Sequence, residues 1–262
     1  MSQRGDSGMK DQPIGMFDSG VGGLSTLRDL RALLPHEDII YYADTGNCPY
    51  GGRSHEEIVA LSERITYILL ERGVKLIVVA CNTATLHAVD YLREHFSISF
   101  VGMEPGIKPA IAQTKTGVVG VMATQATVAG ERFQRLIARY AGDVQVVPQA
   151  CPGLVELIEA GELQSETTRD AVARYVAPLL KAGADTIVLG CTHYPFLRSL
   201  IADVAGPNVA LLDTGAAVAR QTQRLLAAAD LLNPQTSQGS IEWLTSGDPA
   251  HFAKIRQCLE IE

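Results

Sequence analysis

LIVVACNT, residues 76–83, and TIVLGCTH, residues 186–193, are the two stretches that decide the fold. Each is a run of β-branched and other aliphatic side chains without the alternation of a sheet that has one wet face. Each ends on a cysteine followed by short polar residues. Unbroken apolar runs of this length read as parallel strands covered by helices on both faces. KLIVVA, GVVGVMAT, DVQVVP, DTIVLG and NVALLD share the pattern, and helical stretches separate them. The expectation is a doubly wound α/β fold, in which ligands sit just beyond the carboxyl ends of the strands. The residues that follow the runs, the two thiols among them, thereby become functional candidates.

Working outward, PIGMFD leads into the glycine-rich VGGLSTLRDLRALLP, and DIIYYAD precedes an amphipathic stretch from Ser54 to Arg72. Ser54 and Glu57 stand at capping-box spacing, and Gly73 is placed to end that helix. IGMFDS (14–19) resembles VGVMAT (119–124), and LIVVACNT resembles TIVLGCTH. Cys81 follows Gly15 by 66 residues and Cys191 follows Gly120 by 71. Apolar strands resemble one another without common origin, but a rare cysteine at the same place in both is an independent signal of duplication. Two parallel-sheet lobes related by a pseudo-twofold axis, with the active site between them, are expected. Weak boundary signals place the first lobe at 13–103 plus 213–262, the second at 104–212, and a disordered segment at 1–12.

Composition narrows the function. The 262 residues are 47% hydrophobic and 19% charged, enough for a large core or two modest ones. A net charge of -7 supplies no basic field for a nucleic-acid backbone. The polar start MSQRGDSGMKD and the lack of a long apolar window point to a cytoplasmic protein without a membrane segment. Five cysteines at irregular spacing do not form a disulfide framework and read as free thiols. No C-x-x-C pair occurs, and Cys191 with His193 supplies at most two ligands, so no metal is expected.

Two thiols facing one molecule from opposite sides suit the inversion of a carbon centre. A single base returns a proton only to the face it came from; two groups allow removal on one side and delivery on the other, without a cofactor. A free thiol has a pKa of about 8.5 and the α-proton of an amino acid is far less acidic. Prearranged hydrogen bonds must therefore carry most of the developing charge. Asp18-Ser19-Gly20-Val21-Gly22-Gly23 is a glycine-rich turn that is neither a Walker motif nor G-x-G-x-x-G, so nucleotide binding is disfavoured. Asp18 repels phosphate but accepts from an ammonium group or orients a thiol; its structural alternative is a helix cap. Asn82 and Thr83 after Cys81, and Thr192 and His193 after Cys191, can form a carboxylate site at a strand end opening a helix.

FDSGVGGLS, DTGNCPYGGRS, ACNTAT, ATQATV and LGCTHYPFL, in this order over most of the chain, resemble the glutamate racemases of the aspartate/glutamate racemase superfamily. The resemblance implies a cofactor-independent, two-base isomerase that interconverts L- and D-glutamate and supplies D-glutamate for peptidoglycan. It makes Cys81 and Cys191 the acid/base pair, with Cys81 acting on D-glutamate and Cys191 on L-glutamate. It places Asp18 beside the first thiol, and His193 with Glu159 beside the second. It implies substrate contacts from Asp18, Ser19, Tyr50, Gly51, Asn82, Thr83, Thr124, Thr192 and His193, and a homodimer. It also allows aspartate as the substrate, or a protein-binding inhibitor of the DNA gyrase type with little catalysis. Where relatives often carry an arginine and an apolar neighbour, this chain has Asn47-Cys48, a third thiol near the cleft or a small buried filler. Cys151 and Cys258 are expected to be structural.

Overall fold

The computed structural model describes residues 7–261. Residues 1–6 of the segment expected to be disordered lie outside the described residues; within its remainder, Ser7–Lys10 forms a helical turn. Two contacts explain it: the Lys10 carbonyl accepts from Lys75 Nζ at 2.6 Å, and the Lys10 ammonium pairs with Asp230 at 2.8 Å.

In chain order the strands are β1 Ile14–Asp18, β2 Ile39–Ala43, β3 Leu76–Val79, β4 Phe100–Gly102, β5 Val118–Ala123, β6 Gln145–Ala150, β7 Thr186–Leu189, β8 Ala210–Leu212 and β9 Ile241–Thr245. They form two sheets, ordered β4-β3-β1-β2-β9 and β6-β5-β7-β8, and every pairing is parallel. Read as β8-β7-β5-β6, the second sheet repeats the first four places of the first. The repeat extends to register: Gly15 is opposite Ile77, and Gly120 is opposite Ile187. Ala80 N–H donates to the Phe17 carbonyl and Gly190 N–H to the Met122 carbonyl, both at 2.8 Å. Cys81 and Cys191 are the next residues, so the two thiols leave equivalent points of duplicated sheets.

Both faces of the first sheet are buried, as its apolar runs require. Ile14, Met16, Tyr41 and Val78 pack with Leu24, Leu27 and Leu30 of helix Leu24–Leu33. Phe17, Ile40, Ile77 and Val79 face Ile58, Ile65 and Leu69 of helix His55–Leu70. That helix carries the full Ser54–Glu57 capping box, and Gly73 follows it at φ 70, a left-handed conformation that costs glycine little. The runs at 143–148 and 208–213 depart from expectation. Strand β6 is at best half-buried and β8 is half-buried, and these are the two edges of the second sheet. No helix among the described residues is long and apolar enough to cross a membrane.

Candidate active site

Cys81 ends its strand as the cap of helix Asn82–His95, its sulfur accepting from Ala84 N–H at 3.4 Å. The thiol also reaches Ser19 Oγ at 3.7 Å. Cys191 has a different sequel. The backbone turns through Tyr194 N–H to the Cys191 carbonyl, and a short 3-10 turn, Tyr194–Leu197, takes the place of an α-helix start. The expected helix mouth thus exists at the first thiol and not at the second. Both sulfurs nevertheless line one narrow cavity, shared with Ser19, Tyr50, Asn82, Thr83 and Thr124.

A chain of contacts backs the second thiol. Cys191 Sγ lies 3.7 Å from His193 Nδ1, and His193 Nε2 lies 2.6 Å from Glu159 Oε1. The same oxygen accepts from Val21 N–H at 2.7 Å and from the Cys48 thiol at 3.5 Å. Burial works against the imidazolium, but hydrogen bonds to Cys191, Cys48 and Glu159 outweigh it and hold the His193 pKa well above its ordinary value. Burial likewise opposes the Glu159 carboxylate, and its bond to His193 outweighs that, leaving its pKa lowered. Both shifts favour the charged forms of the pair.

The first thiol has the opposite surroundings. Burial, reinforced by the charge of Asp18, raises the Cys81 pKa, so the sulfur carries its proton. Asp18 is itself raised by burial, against the pull of His193 and of the Gly20 N–H. Its Oδ1 accepts from Gly20 N–H at 2.8 Å and its Oδ2 from the Thr192 hydroxyl at 3.0 Å. Capping is not its role: Gly23 holds the cap position of helix Leu24–Leu33, without a side-chain bond.

The glycines of the turn after β1 now have a steric reason. A Cβ on Gly20 would lie 1.9 Å from Glu159 Oε1, and one on Gly22 would lie 2.3 Å from His193 Nδ1. The backbone passes directly against the groups behind Cys191, and only residues without a side chain fit.

The remaining candidates divide by what their polar atoms already do. The Tyr50 hydroxyl donates to Asp44 at 2.5 Å, and Gly51 packs against Thr124. Thr83 and Thr124 hydroxyls meet at 2.9 Å, with Thr127 3.0 Å from Thr124. The Asn82 amide is different: buried, with no partner for its oxygen or nitrogen among the described residues, it offers a donor and an acceptor to a ligand. Sequence reasoning missed Thr127, Val21 N–H and Ser25, whose hydroxyl donates to the Thr192 carbonyl at 2.8 Å. The T-x-x-T spacing of 124–127, which caps helix Gln125–Ala129, is the one signal that pointed to Thr127.

Comparisons agree with this arrangement. Residues 25–222 match the family described as Asp/Glu/Hydantoin racemase. The glutamate racemase of Methylococcus capsulatus is 52% identical over 93% of this chain and 89% of its own length. The crystal structure of glutamate racemase isoform RacE1 from Bacillus anthracis superposes with a TM-score of 0.87 at 32% identity, covering 95% of this chain and 93% of that one. That of the Francisella tularensis glutamate racemase in complex with D-glutamate gives 0.84 at 29% identity, covering 97% and 95%. With matching sequence over most of its length and both thiols at one cavity, this chain belongs to the Asp/Glu/hydantoin racemase family, alongside the glutamate racemases.

Proposed function

We propose that this chain racemises glutamate by a two-base route in which Cys81 and Cys191 exchange protons with opposite faces of the α-carbon. The carrying observation is the repeated register that brings the two sulfurs to a single cavity. Cys191 takes the α-proton of L-glutamate while Cys81, held as a thiol, delivers one to the other face; the roles reverse for D-glutamate. His193 relays charge at the Cys191 sulfur and is oriented by Glu159. Asp18 does the corresponding work near Cys81.

The developing carbanion is the costly species, since each pK unit between donor and acceptor is about 1.4 kcal/mol. The Asn82 amide and the N-terminus of helix Asn82–His95 supply fixed donors for the α-carboxylate. The turn Tyr50–Gly52 presents backbone for the second carboxylate of a dicarboxylic substrate. The Francisella complex with D-glutamate supports glutamate over its shorter homologue. In this reading the protein works as a cytoplasmic homodimer that feeds D-glutamate to peptidoglycan synthesis.

Incubation with each enantiomer of glutamate and aspartate in deuterated water, followed by NMR of the α-proton, tests the proposal. Exchange and inversion of glutamate without added cofactor are expected. Exchange of aspartate alone, or exchange abolished by a chelator, would overturn it.

A further inference from the structure

Cys48 has no part in these proton transfers, yet its sulfur stands among the groups that support them. Its Sγ is 3.5 Å from Glu159 Oε1, the oxygen that His193 Nε2 meets at 2.6 Å. One donor atom from each of the three residues lies within 4.8 Å of the others. A thiol, an imidazole nitrogen and a carboxylate oxygen are ligands that zinc prefers.

Tetrahedral zinc, bonded at about 2.3 Å to sulfur and about 2.1 Å to nitrogen and oxygen, separates its ligand atoms by about 3.3 to 3.6 Å. Cys48 and Glu159 already stand at that separation. His193 and Glu159 must part by about 0.7 Å or more, and the carboxylate has a second oxygen, Oε2, to offer the ion. That oxygen has no hydrogen-bond partner among the described residues, since all three donors reach Oε1. Cys48 and Glu159 also line a separate surface depression with Thr45, Glu156 and His251.

We propose that Cys48, Glu159 and His193 form an inhibitory zinc site. The ion bonds to the Cys48 sulfur and takes His193 Nε2 from Glu159, and the thiol proton and the Nε2 proton both leave to solvent. The imidazole is then fixed as a ligand and no longer serves Cys191. Inhibition rests on the racemase reading; metal binding does not, and the two are measured separately.

Cobalt(II) reports the first. Titrated into the purified chain, it gives a near-ultraviolet thiolate-to-cobalt charge-transfer band that saturates at one equivalent, and the band is absent from Cys48→Ser and Cys48→Ala. Zinc reports the second. Glutamate racemisation by the unaltered chain falls with added zinc and returns on chelation, and each variant needs about tenfold or more zinc for the same fractional loss. The proposal is overturned if no band forms, if the band persists in both variants and so belongs to another thiol, or if zinc inhibits all three proteins alike. A band lost in the variants of a chain that racemises nothing supports the metal site and sinks the functional reading instead.

Discussion

Gly22→Ala adds one methyl group where the molecule has no space for it. The backbone at Gly22 is outside the left-handed region, so alanine brings no conformational strain, and the usual gain from restricting the unfolded chain is about 0.4 to 1 kcal/mol. Against this, the new carbon would lie 2.3 Å from His193 Nδ1 and 2.5 Å from Thr192 Oγ1. Neither neighbour can retreat into solvent, since His193 is 1% and Thr192 3% exposed. Overpacking of this kind costs about 1 to 3 kcal/mol, and loss of the Thr192 bond to Asp18 costs about 1.5 to 3 more. The net destabilisation is about 1.5 to 5.5 kcal/mol, a fall in Tm of roughly 3 to 10 °C for a chain of this size. Displacing His193 from Cys191 should also lower kcat/KM about tenfold or more. The two enantiomers have equal free energy, so kcat/KM must fall by the same factor in both directions. Calorimetry and polarimetry from each enantiomer measure these effects, with Gly8→Ala as the control because nothing lies within 4 Å of its added carbon. A Gly22→Ala protein with unaltered Tm and activity would refute the steric account of the turn.

Cys81→Ser and Cys191→Ser should each lower racemisation by about 10² or more while leaving the circular dichroism spectrum unchanged; near-normal turnover in either removes that sulfur from the mechanism. Lys75→Met strands the Glu37 carboxylate, whose side chain is 2% exposed and 2.5 Å from the ammonium, and should cost about 3 to 5 kcal/mol in urea denaturation. Burial alone would raise the Asp185 pKa, but donation from Thr114, Lys115 N–H and Thr116 N–H outweighs it and lowers the value from 3.8 to about 2. A lowered acid stabilises the fold above its unfolded pKa and loses that contribution as pH falls through the folded one. The stability gap between the native chain and Asp185→Asn should therefore be full above pH 4 and shrink toward pH 2, as acid-dependent melting will show; a pH-independent gap would contradict it.

The parts legible in the sequence were those fixed by short-range pattern. Aliphatic runs at 76–80 and 186–189 marked central strands, and Ser54 with Glu57 marked a helix start, because burial on both faces and local capping constrain neighbouring residues. The edge strands β6 and β8 carry similar runs, and nothing in the runs themselves tells a strand with one partner from a strand with two. The site was legible at its thiols, which repeat. Its support was not: Val21 N–H meets Glu159 across 138 residues, and the reason for Gly20 and Gly22 lies wholly in those distant side chains. The Thr192 bond to Asp18 is equally silent in sequence, since a threonine after a strand has many local uses. Cys48 stood out as a third thiol in DTGNCPYGGRS, but its contact with Glu159 depends on a loop and a helix meeting in space.

The seam between the two sheets is fastened unevenly. On one side the Val21 amide grips Glu159 at 2.7 Å and the Ser25 hydroxyl grips the Thr192 carbonyl at 2.8 Å, both bonds anchored on main chain. On the other, Thr83 faces Thr124 through hydroxyls alone, which rotate freely and exchange readily for water or a carboxylate. Arg132 of helix Glu131–Tyr140 adds an ionic tie on that side, to Asp90 of helix Asn82–His95 and to Glu104.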